Sequence, residues 1–279
     1  MKIGCHVSIA DRIDRAVDRA SAIGCNTFQI FTRNPRMWRY KEMSDEEVEA
    51  FKNKVEQMDM EPVFSHMPYL PNLSSSNPEP YRKSVAALRL ELKRCNQLRI
   101  PYVVTHLGSH LGEGIEKGKA QIVNAIETAT SGLDYYPMIL LENTSGKSNE
   151  VGSTFLEIGQ ILENLSISKI GVCFDTCHAF ARGYDIAKEE GLNKTINDIE
   201  KHIGFKRVKL VHLNDSKGEL GSRLDRHNHI GLGYIGEKGF INFLKSDFKE
   251  KPLILETPVN DTRSDRENIA KIRELASYI

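Results

Sequence analysis

The chain has 279 residues, and its 38 basic and 38 acidic side chains give a formal net charge of zero at pH 7. With 40% hydrophobic and 27% charged residues, the composition is typical of a globular protein and excludes an intrinsically disordered one. No stretch reaches the roughly 18–20 uninterrupted apolar residues of a membrane-spanning helix, and the N-terminal sequence MKIGCHV has no apolar signal region. Zero net charge also excludes nucleic-acid binding by bulk attraction alone, so such binding would need a local basic patch.

The five cysteines are an odd number at irregular spacing, with no C-x-x-C pair among them. Most of them lie in or beside apolar runs, where a free cysteine behaves as a small hydrophobic side chain. This usage indicates a reducing compartment and no disulfide framework. We therefore expect an intracellular, cytoplasmic protein.

Short apolar runs rich in Val, Ile, Phe and Leu recur along the chain and are predicted to be strands. Because apolar and polar residues do not strictly alternate in them, they are typical of strands buried on both faces. In chain order the predicted strands cover residues 3–7, 27–31, 62–66, 102–106, 138–142, 170–175, 208–212 and 253–256.

Helical patterns of about 10–20 residues separate these strands, as in βαβ units with a parallel sheet. In the second such pattern, Ser44 and Glu47 form a capping box, and Val48, Phe51 and Val55 form an apolar stripe. The last helix is predicted near residues 266–278.

Eight strands alternating with eight helices over about 250 residues predict a (β/α)8 TIM barrel. A doubly wound open sheet is the alternative, but it would usually have fewer strands and a glycine-rich phosphate loop after the first one. No linker, charge block or low-complexity stretch divides the chain, so residues 1–279 are predicted to form a single barrel domain.

Residues able to bind a metal lie at or next to the ends of seven predicted strands. For one histidine beside an apolar run, a hydrogen-bonded structural role is the commoner interpretation. Here, however, all the strand ends would converge on the C-terminal rim of the barrel, and carboxylates following hydrophobic runs are costly to bury without partners. The set predicts a site for a divalent cation such as Zn²⁺, Mn²⁺ or Mg²⁺, and its members are His6, His66, His106, Glu142, Asp175, His212 and Glu256.

Two acid–histidine pairs extend this set into the following loops. Asp175 and His178 are three residues apart just past a strand. Asp225 and His227 are two apart, so their side chains point the same way in an extended segment; alone, that segment is equally consistent with a solvated loop. Together the candidates exceed the four to six ligands of one metal and predict a multinuclear centre. Such centres suit phosphoester hydrolysis, and a sugar isomerase or epimerase with one or two ions is the alternative.

A basic and aromatic segment, TRNPRMWRYK, follows the second predicted strand. Arg33, Arg36 and Arg39 alternate there with Trp38 and Tyr40, a pattern that suits phosphate contact and stacking on an exposed base. The alternative is a solvated loop in which Trp38 covers the barrel.

The segment HMPYLPNL after the third strand puts an aromatic and an apolar side chain next to a candidate ligand. Tyr69 and Leu70 would then lie at the cavity mouth, close to His66. Insertion into a base stack and ordinary core packing are both compatible with this pattern.

Long segments of the chain resemble the endonuclease IV family of apurinic/apyrimidinic endonucleases, from the first strand to near the C-terminus. The segments that carry the resemblance are GCHVS, RNPRMW, HMPYLPNL, HLGSHLGEG, LENTSG, GVCFDTCHAFARGYD, VHLNDSKGELGSRLDRHNHIGLGYIG and LILET.

The resemblance implies a (β/α)8 barrel with three zinc ions at its C-terminal rim, and every family ligand position is filled here. A non-catalytic abasic-site binder, for which a broken ligand set would be needed, is therefore disfavoured. Glu142 is the implied catalytic residue, which bridges two of the ions and accepts the proton of the nucleophile, while His6 is implied to support the site without binding metal. The implied ligands are His66, His106 and Glu142 for the first ion, Glu142, Asp175, His212 and Glu256 for the second, and His178, Asp225 and His227 for the third.

The family's activity implies cleavage of double-stranded DNA on the 5′ side of abasic sites, leaving a 3′-hydroxyl and a 5′-deoxyribose phosphate. It also implies removal of blocking groups from 3′ ends, within base excision repair. Arg36 matches the DNA-penetrating loop, and Tyr69 and Leu70 match residues that hold the opened duplex. We expect a monomer without membrane partners. Asp11 and Arg12 depart from the Gly-Gly pair common in the family; because this loop approaches DNA in the family, the departure bears on DNA affinity or substrate preference, and the metal centre is expected to be untouched.

Overall fold

A computed structural model describes all 279 residues as a barrel of parallel strands surrounded by helices. The barrel has eight strands, which are β1 (Ile3–Cys5), β2 (Phe28–Ile30), β3 (Val63–His66), β4 (Tyr102–Thr105), β5 (Met138–Glu142), β6 (Ile170–Asp175), β7 (Val208–His212) and β10 (Leu253–Leu255). They pair in the order β1-β10-β7-β6-β5-β4-β3-β2, and every pairing is parallel. The TIM-barrel prediction is confirmed, and the open doubly wound sheet is excluded.

The first and second strands meet at a single point, which brings the sheet close to full closure. His6 and Gln29 form an isolated parallel bridge there, and the N–H of Val7 donates to the carbonyl oxygen of Gln29 at 2.8 Å. A Cβ on Gly4 would lie 1.7 Å from the carbonyl oxygen of Thr27. Only glycine therefore permits the two backbones to approach closely enough to pair at this seam.

Nine α-helices surround the barrel, one more than the sequence pattern predicts. The helices are α1 (Arg15–Ile23), α2 (Asp45–Gln57), α3 (Pro78–Leu98), α4 (Ile115–Thr130), α5 (Phe155–Glu163), α6 (Thr176–Arg182), α7 (Glu189–His202), α8 (Gly236–Lys245) and α9 (Asp265–Ala276). The capping box of Ser44 and Glu47 is present at the start of α2, where each side chain accepts the backbone N–H of the other residue. The additional helix is the seven-residue α6, which begins directly after β6. No helix is both long and apolar enough to cross a membrane.

Six fully buried side chains pack together inside the barrel: Phe64, Val104, Leu140, Cys173, Leu210 and Ile254. Because side chains alternate across a strand, the residue two positions after each of these points to the same side, one layer nearer the C-terminal mouth. Those residues are His66, His106, Glu142, Asp175, His212 and Glu256. The apolar layer thus forms the floor on which six of the predicted ligands stand.

A small antiparallel hairpin that the sequence pattern does not predict follows β7. It pairs β8 (Asp215–Ser216) with β9 (His227–Asn228). The buried carboxylate of Asp215 accepts backbone N–H groups of Gly231, Gly233 and Ile235 at 2.9–3.0 Å, which fixes the chain after the hairpin. Two-residue strands have no hydrophobic period to detect, yet this hairpin returns residues 225–227 to the barrel mouth.

Candidate metal centre

The carboxylate of Glu142 is the central group at the barrel mouth. Its Oε1 lies 2.9 Å from Nδ1 of His212, and its Oε2 lies 3.2 Å from Nε2 of His66 and 3.4 Å from Nε2 of His106. Burial alone would raise the pKa of Glu142, but the charges of His106 and His212 and hydrogen bonds from His212 and His66 hold it well below its usual value. The carboxylate is therefore ionised and is surrounded by imidazoles.

A second group of ligand atoms shares this carboxylate. Nδ1 of His212 lies 3.4 Å from Oε2 of Glu256 and 4.0 Å from Oδ2 of Asp175. Both carboxylate oxygens of Asp175 are held by hydrogen bonds. Oδ1 accepts one from the backbone N–H of His178 at the start of α6, and Oδ2 accepts one from the side-chain amide of Asn214. The strand ends of β5, β6, β7 and β10 thus contribute to one site.

The third group lies between α6 and the β8–β9 hairpin. Nε2 of His178 is 3.2 Å from Oδ1 of Asp225, and Nε2 of His227 lies 3.9 Å from the same oxygen and 3.8 Å from Oδ2 of Asp175. Burial would lower the pKa of His178, but the carboxylates of Asp175, Asp225 and Glu142 outweigh it and raise the pKa well above its usual value. The spacing-based expectation that Asp225 and His227 face the same way agrees with this geometry.

Within each group the ligand atoms all lie within 4.8 Å of one another, and each of the nine implied ligands belongs to at least one group. The three groups are His66, His106 and Glu142; Glu142, Asp175, His212 and Glu256; and His178, Asp225 and His227. Cys177 also comes close to Asp175 and His227, but burial raises the pKa of its thiol far above the usual range, which disfavours a thiolate there.

Three of the histidines are oriented as metal ligands usually are. Each donates its Nδ1–H to a backbone carbonyl, so that Nε2 is directed at carboxylate oxygens. Only a cation, either a proton on Nε2 or a bound metal ion, makes such a nitrogen–carboxylate contact favourable, and the buried Nε2 of His227 has no hydrogen-bond partner at all. The donor set therefore fits a divalent metal. The three bonds run from His66 to Met67 at 2.7 Å, from His178 to Asn143 at 2.9 Å and from His227 to Glu256 at 2.9 Å.

Three buried amide side chains support the ligands, and the sequence analysis missed all of them. Asn143 exchanges two hydrogen bonds with the backbone of Asp175, and the side-chain oxygen of Asn214 accepts the N–H of Glu256. Asn143 and Asn214 follow predicted ligands in LENT and HLND, a proximity that could have identified them. Gln29 follows no such signal, because it lies inside a strand at the closure seam.

His6 lies at the mouth but in none of the three groups. Its Nδ1 accepts a hydrogen bond from Nε2 of Gln29 at 3.0 Å, and its ring packs on Phe31 with centroids 4.2 Å apart. The strand-end pattern thus brings His6 to the rim without bringing it among the clustered ligand atoms.

A cavity of about 410 Å³ opens above the clustered ligands. Tyr69 lies at the rim of this cavity and is 64% exposed. Its ring packs edge-on against the ring of Phe31, with the two centroids 5.1 Å apart. Leu70 beside it is 40% exposed, so core packing does not account for either side chain. The carbonyl oxygen of Pro35 accepts the backbone N–H of Tyr69 at 3.2 Å, which joins the loops after β2 and β3.

The arginines of the loop after β2 have different environments. Arg36, Trp38 and Tyr40 are exposed, as the phosphate-contact interpretation requires. Arg33 is not: it is only 4% exposed, its Nη1 donates to the carbonyl of Met37, and its Nε lies 3.8 Å from a carboxylate oxygen of α3. The inclusion of Arg33 among the phosphate-contacting residues is therefore corrected, because its charge is directed into the protein.

The loop that carries Asp11 and Arg12 directs both charges toward its own neighbours. Asp11 pairs with Arg19 at 3.0 Å, and Arg12 pairs with Asp14 at 2.9 Å and Glu46 at 3.1 Å. Asp11 has φ +71°, a conformation in which glycine is favoured. Neither side chain contacts the three ligand groups, in agreement with an unaffected metal centre.

Comparison with known proteins gives the same family in sequence and in structure. Residues 17–277 match a family model described as a xylose isomerase-like TIM barrel. A protein named "Probable endonuclease 4" from Methanoculleus marisnigri is 52% identical over 277 residues, 98% of each chain, and one from Nitrosopumilus maritimus is 48% identical over 280 residues, covering 99% and 100%. The crystal structure of endonuclease IV from Thermus thermophilus superposes with a TM-score of 0.88 at 37% identity over all of both chains. A D-tagatose 3-epimerase-like protein, at 19% identity and TM-score 0.73, shares the fold alone.

Proposed function

The chain belongs to the endonuclease 4 family of DNA-repair endonucleases, and on this premise we propose that it is a zinc-dependent phosphodiesterase acting at abasic sites in duplex DNA. It cleaves the phosphodiester 5′ to the lesion, leaving a 3′-hydroxyl and a 5′-deoxyribose phosphate, and it removes blocking groups from 3′ ends. It acts as a monomer of one barrel domain, inside the cell with the chromosomal DNA.

The observation that carries this proposal is the joining of three ligand groups at one cavity. Glu142 belongs to two of the groups, and Asp175 of the second group lies within 4 Å of His227 in the third. Three neighbouring cation sites exceed what a mononuclear enzyme needs and suit phosphodiester cleavage, in which charge develops on several oxygens. Bound zinc ions supply Lewis acidity toward the phosphate and lower the pKa of water to near neutrality.

The chain's own residues hold and orient these groups. The first zinc would be held by His66, His106 and Glu142, with His66 fixed by its bond to a backbone carbonyl. Glu142 takes the catalytic role, because its carboxylate is ionised, contacts both of the first two groups and can accept a proton at the oxygen nearer His66. The second zinc would be held by Glu142, Asp175, His212 and Glu256, and the third by His178, Asp225 and His227.

The loops after β2 and β3 supply the proposed DNA contacts. Arg36 is exposed and free to approach a phosphate, and the exposed Tyr69 and Leu70 stand at the edge of the cavity, where they can fill the space left in an opened base stack. The loops at the edge of the cavity thus carry apolar and cationic groups, while the bottom of the cavity carries carboxylates and imidazoles. This arrangement suits a duplex that is held by the loops and cut at the metal site.

The test uses a duplex oligonucleotide with one abasic-site analogue and protein assayed before and after prolonged chelation. We expect a nick 5′ to the analogue, a product that a polymerase can extend, and loss of both after chelation, with recovery on adding Zn²⁺. An undamaged duplex of the same sequence is the control. A metal-loaded protein that leaves the abasic strand intact, or cuts both duplexes equally, would contradict the proposal.

A further inference from the structure

Gln29 has the most constrained hydrogen-bond pattern near the centre, although no ligand group includes it. The side chain is fully buried at the seam where β1 and β2 meet. Its Oε1 lies 2.8 Å from Nε2 of His212, and its Nε2 lies 2.7 Å from Oε1 of Glu256 and 3.0 Å from Nδ1 of His6. The one acceptor and two N–H donors of this amide are thus all used, by residues at the ends of three different strands.

The orientation of this amide follows from its neighbours. If its oxygen and nitrogen were exchanged, Oε1 would lie 2.7 Å from a carboxylate oxygen of Glu256, with two acceptors in contact and no proton between them. The oxygen therefore faces His212 and accepts its Nε2–H. In the neutral imidazole, which is the form that binds a metal, Nδ1 of His212 is then left to present its lone pair toward Glu142, Asp175 and Glu256.

We propose that Gln29 is a positioning residue for the second metal site, holding His212 in the ligating tautomer and Glu256 in the ligating orientation. The inference rests on the proposed function, because it takes these two residues as metal ligands. In the first and third groups, His66, His178 and His227 are held by backbone carbonyls, and no member of these two groups other than Glu142, which is shared with the second, is hydrogen-bonded to a side chain that Gln29 holds. Its removal is therefore expected to affect one ion out of three.

The test is a zinc competition titration of the full-length protein with a chromophoric chelator. Gln29→Met keeps the side-chain length and removes the hydrogen-bond donor and acceptor. We expect this variant to bind one of its three zinc ions with about 10- to 100-fold lower affinity, the usual effect of losing a residue that orients a ligand. Gln29→Asn, which keeps the amide but withdraws it by one methylene, should give a smaller shift of the same ion. Ile30→Val, a buried change on the same strand, should leave all three affinities unchanged.

Thermal unfolding of the metal-free variants separates positioning from general stability. Unchanged zinc affinities in Gln29→Met, or an equal loss at all three sites together with a lower Tm of the metal-free chain, would overturn this inference alone. A wild-type chain that binds no zinc would instead contradict the proposed function, and this inference with it.

Discussion

The carboxylate of Glu142 lies 2.9 Å from Nδ1 of His212, and neither side chain has any exposed surface. One is the end residue of β5 and the other of β7, so the contact bridges two strands that have β6 between them. Glu142→Gln keeps the shape but removes the charge shared by two ligand groups. We expect kcat on abasic DNA to fall by about 100-fold or more, as when one preorganised electrostatic group is removed. DNA affinity, measured by fluorescence anisotropy, should change little, and near-wild-type cleavage would rule out the catalytic assignment.

Metal removal should destabilise the protein as well as inactivate it. Without cations, the buried carboxylates of Glu142 and Asp175 depend on imidazole protons for compensation. A ligand present at 100 times its Kd stabilises the folded state by about 2.7 kcal/mol, so chelation should lower Tm by several degrees and Zn²⁺ should restore it. Differential scanning calorimetry measures this directly. Equal Tm values with and without the chelator would argue against structural metal sites.

Arg36→Ala should weaken DNA binding and change its salt dependence. If Arg36 neutralises one phosphate, its loss reduces the slope of log K against log salt concentration by about one. Arg207, an exposed arginine just before β7 at the opposite end of the barrel, provides the matched control. Anisotropy titrations at several salt concentrations should show the smaller slope only in Arg36→Ala. The same slope in both variants would contradict the DNA-loop assignment.

Arg94 on α3 should anchor the loop after β2. Its guanidinium donates to the side chain and carbonyl of Thr32 at 3.1 and 2.7 Å and to the carbonyl of Lys41 at 3.1 Å, so it ties both ends of the loop. Arg94→Met leaves these acceptors without their charged donor, and we expect a loss of about 3 kcal/mol in the free energy of unfolding in urea. Lys93→Met, an exposed change on the same helix, should stay within about 0.5 kcal/mol. Equal stabilities of the two variants would disprove the anchoring role.

A pH-dependent ion cluster joins the first two helices. Burial raises the pKa of Asp14, but hydrogen bonds from Lys54 and Arg12 outweigh burial and hold the pKa below its ordinary value. A carboxyl with a lowered folded-state pKa stabilises the fold above its unfolded-state pKa, about 3.9, and loses this contribution as the pH falls. Lys54→Met should therefore cost about 1 kcal/mol at pH 7, and the difference should shrink below about pH 4. Urea unfolding of the metal-free wild-type chain and of metal-free Lys54→Met tests this prediction. A difference in the free energy of unfolding that stays constant down to pH 3 would contradict it.

The order and periodicity of the apolar runs are sufficient to predict the barrel, because eight buried strands with helical segments between them permit few other arrangements. The polar residues at the ends of these runs indicate candidate ligands, since the C-terminal ends of all barrel strands meet at one rim. Three of the predicted strands have the structure's own bounds, and the others are one or two residues shorter than predicted.

The surroundings of those ligands follow from the folded chain and have no counterpart in the sequence pattern. Gln29 contacts Glu256 across 227 residues of sequence, and Arg33 turns inward toward Glu91 on α3, so neither environment has a local signal. The β8–β9 hairpin returns Asp225 to the mouth by pairing Asp215 and Ser216 with Asn228 and His227. Periodicity reports which face of an element is apolar, whereas hydrogen-bond partners of buried polar groups depend on which strands closure brings together.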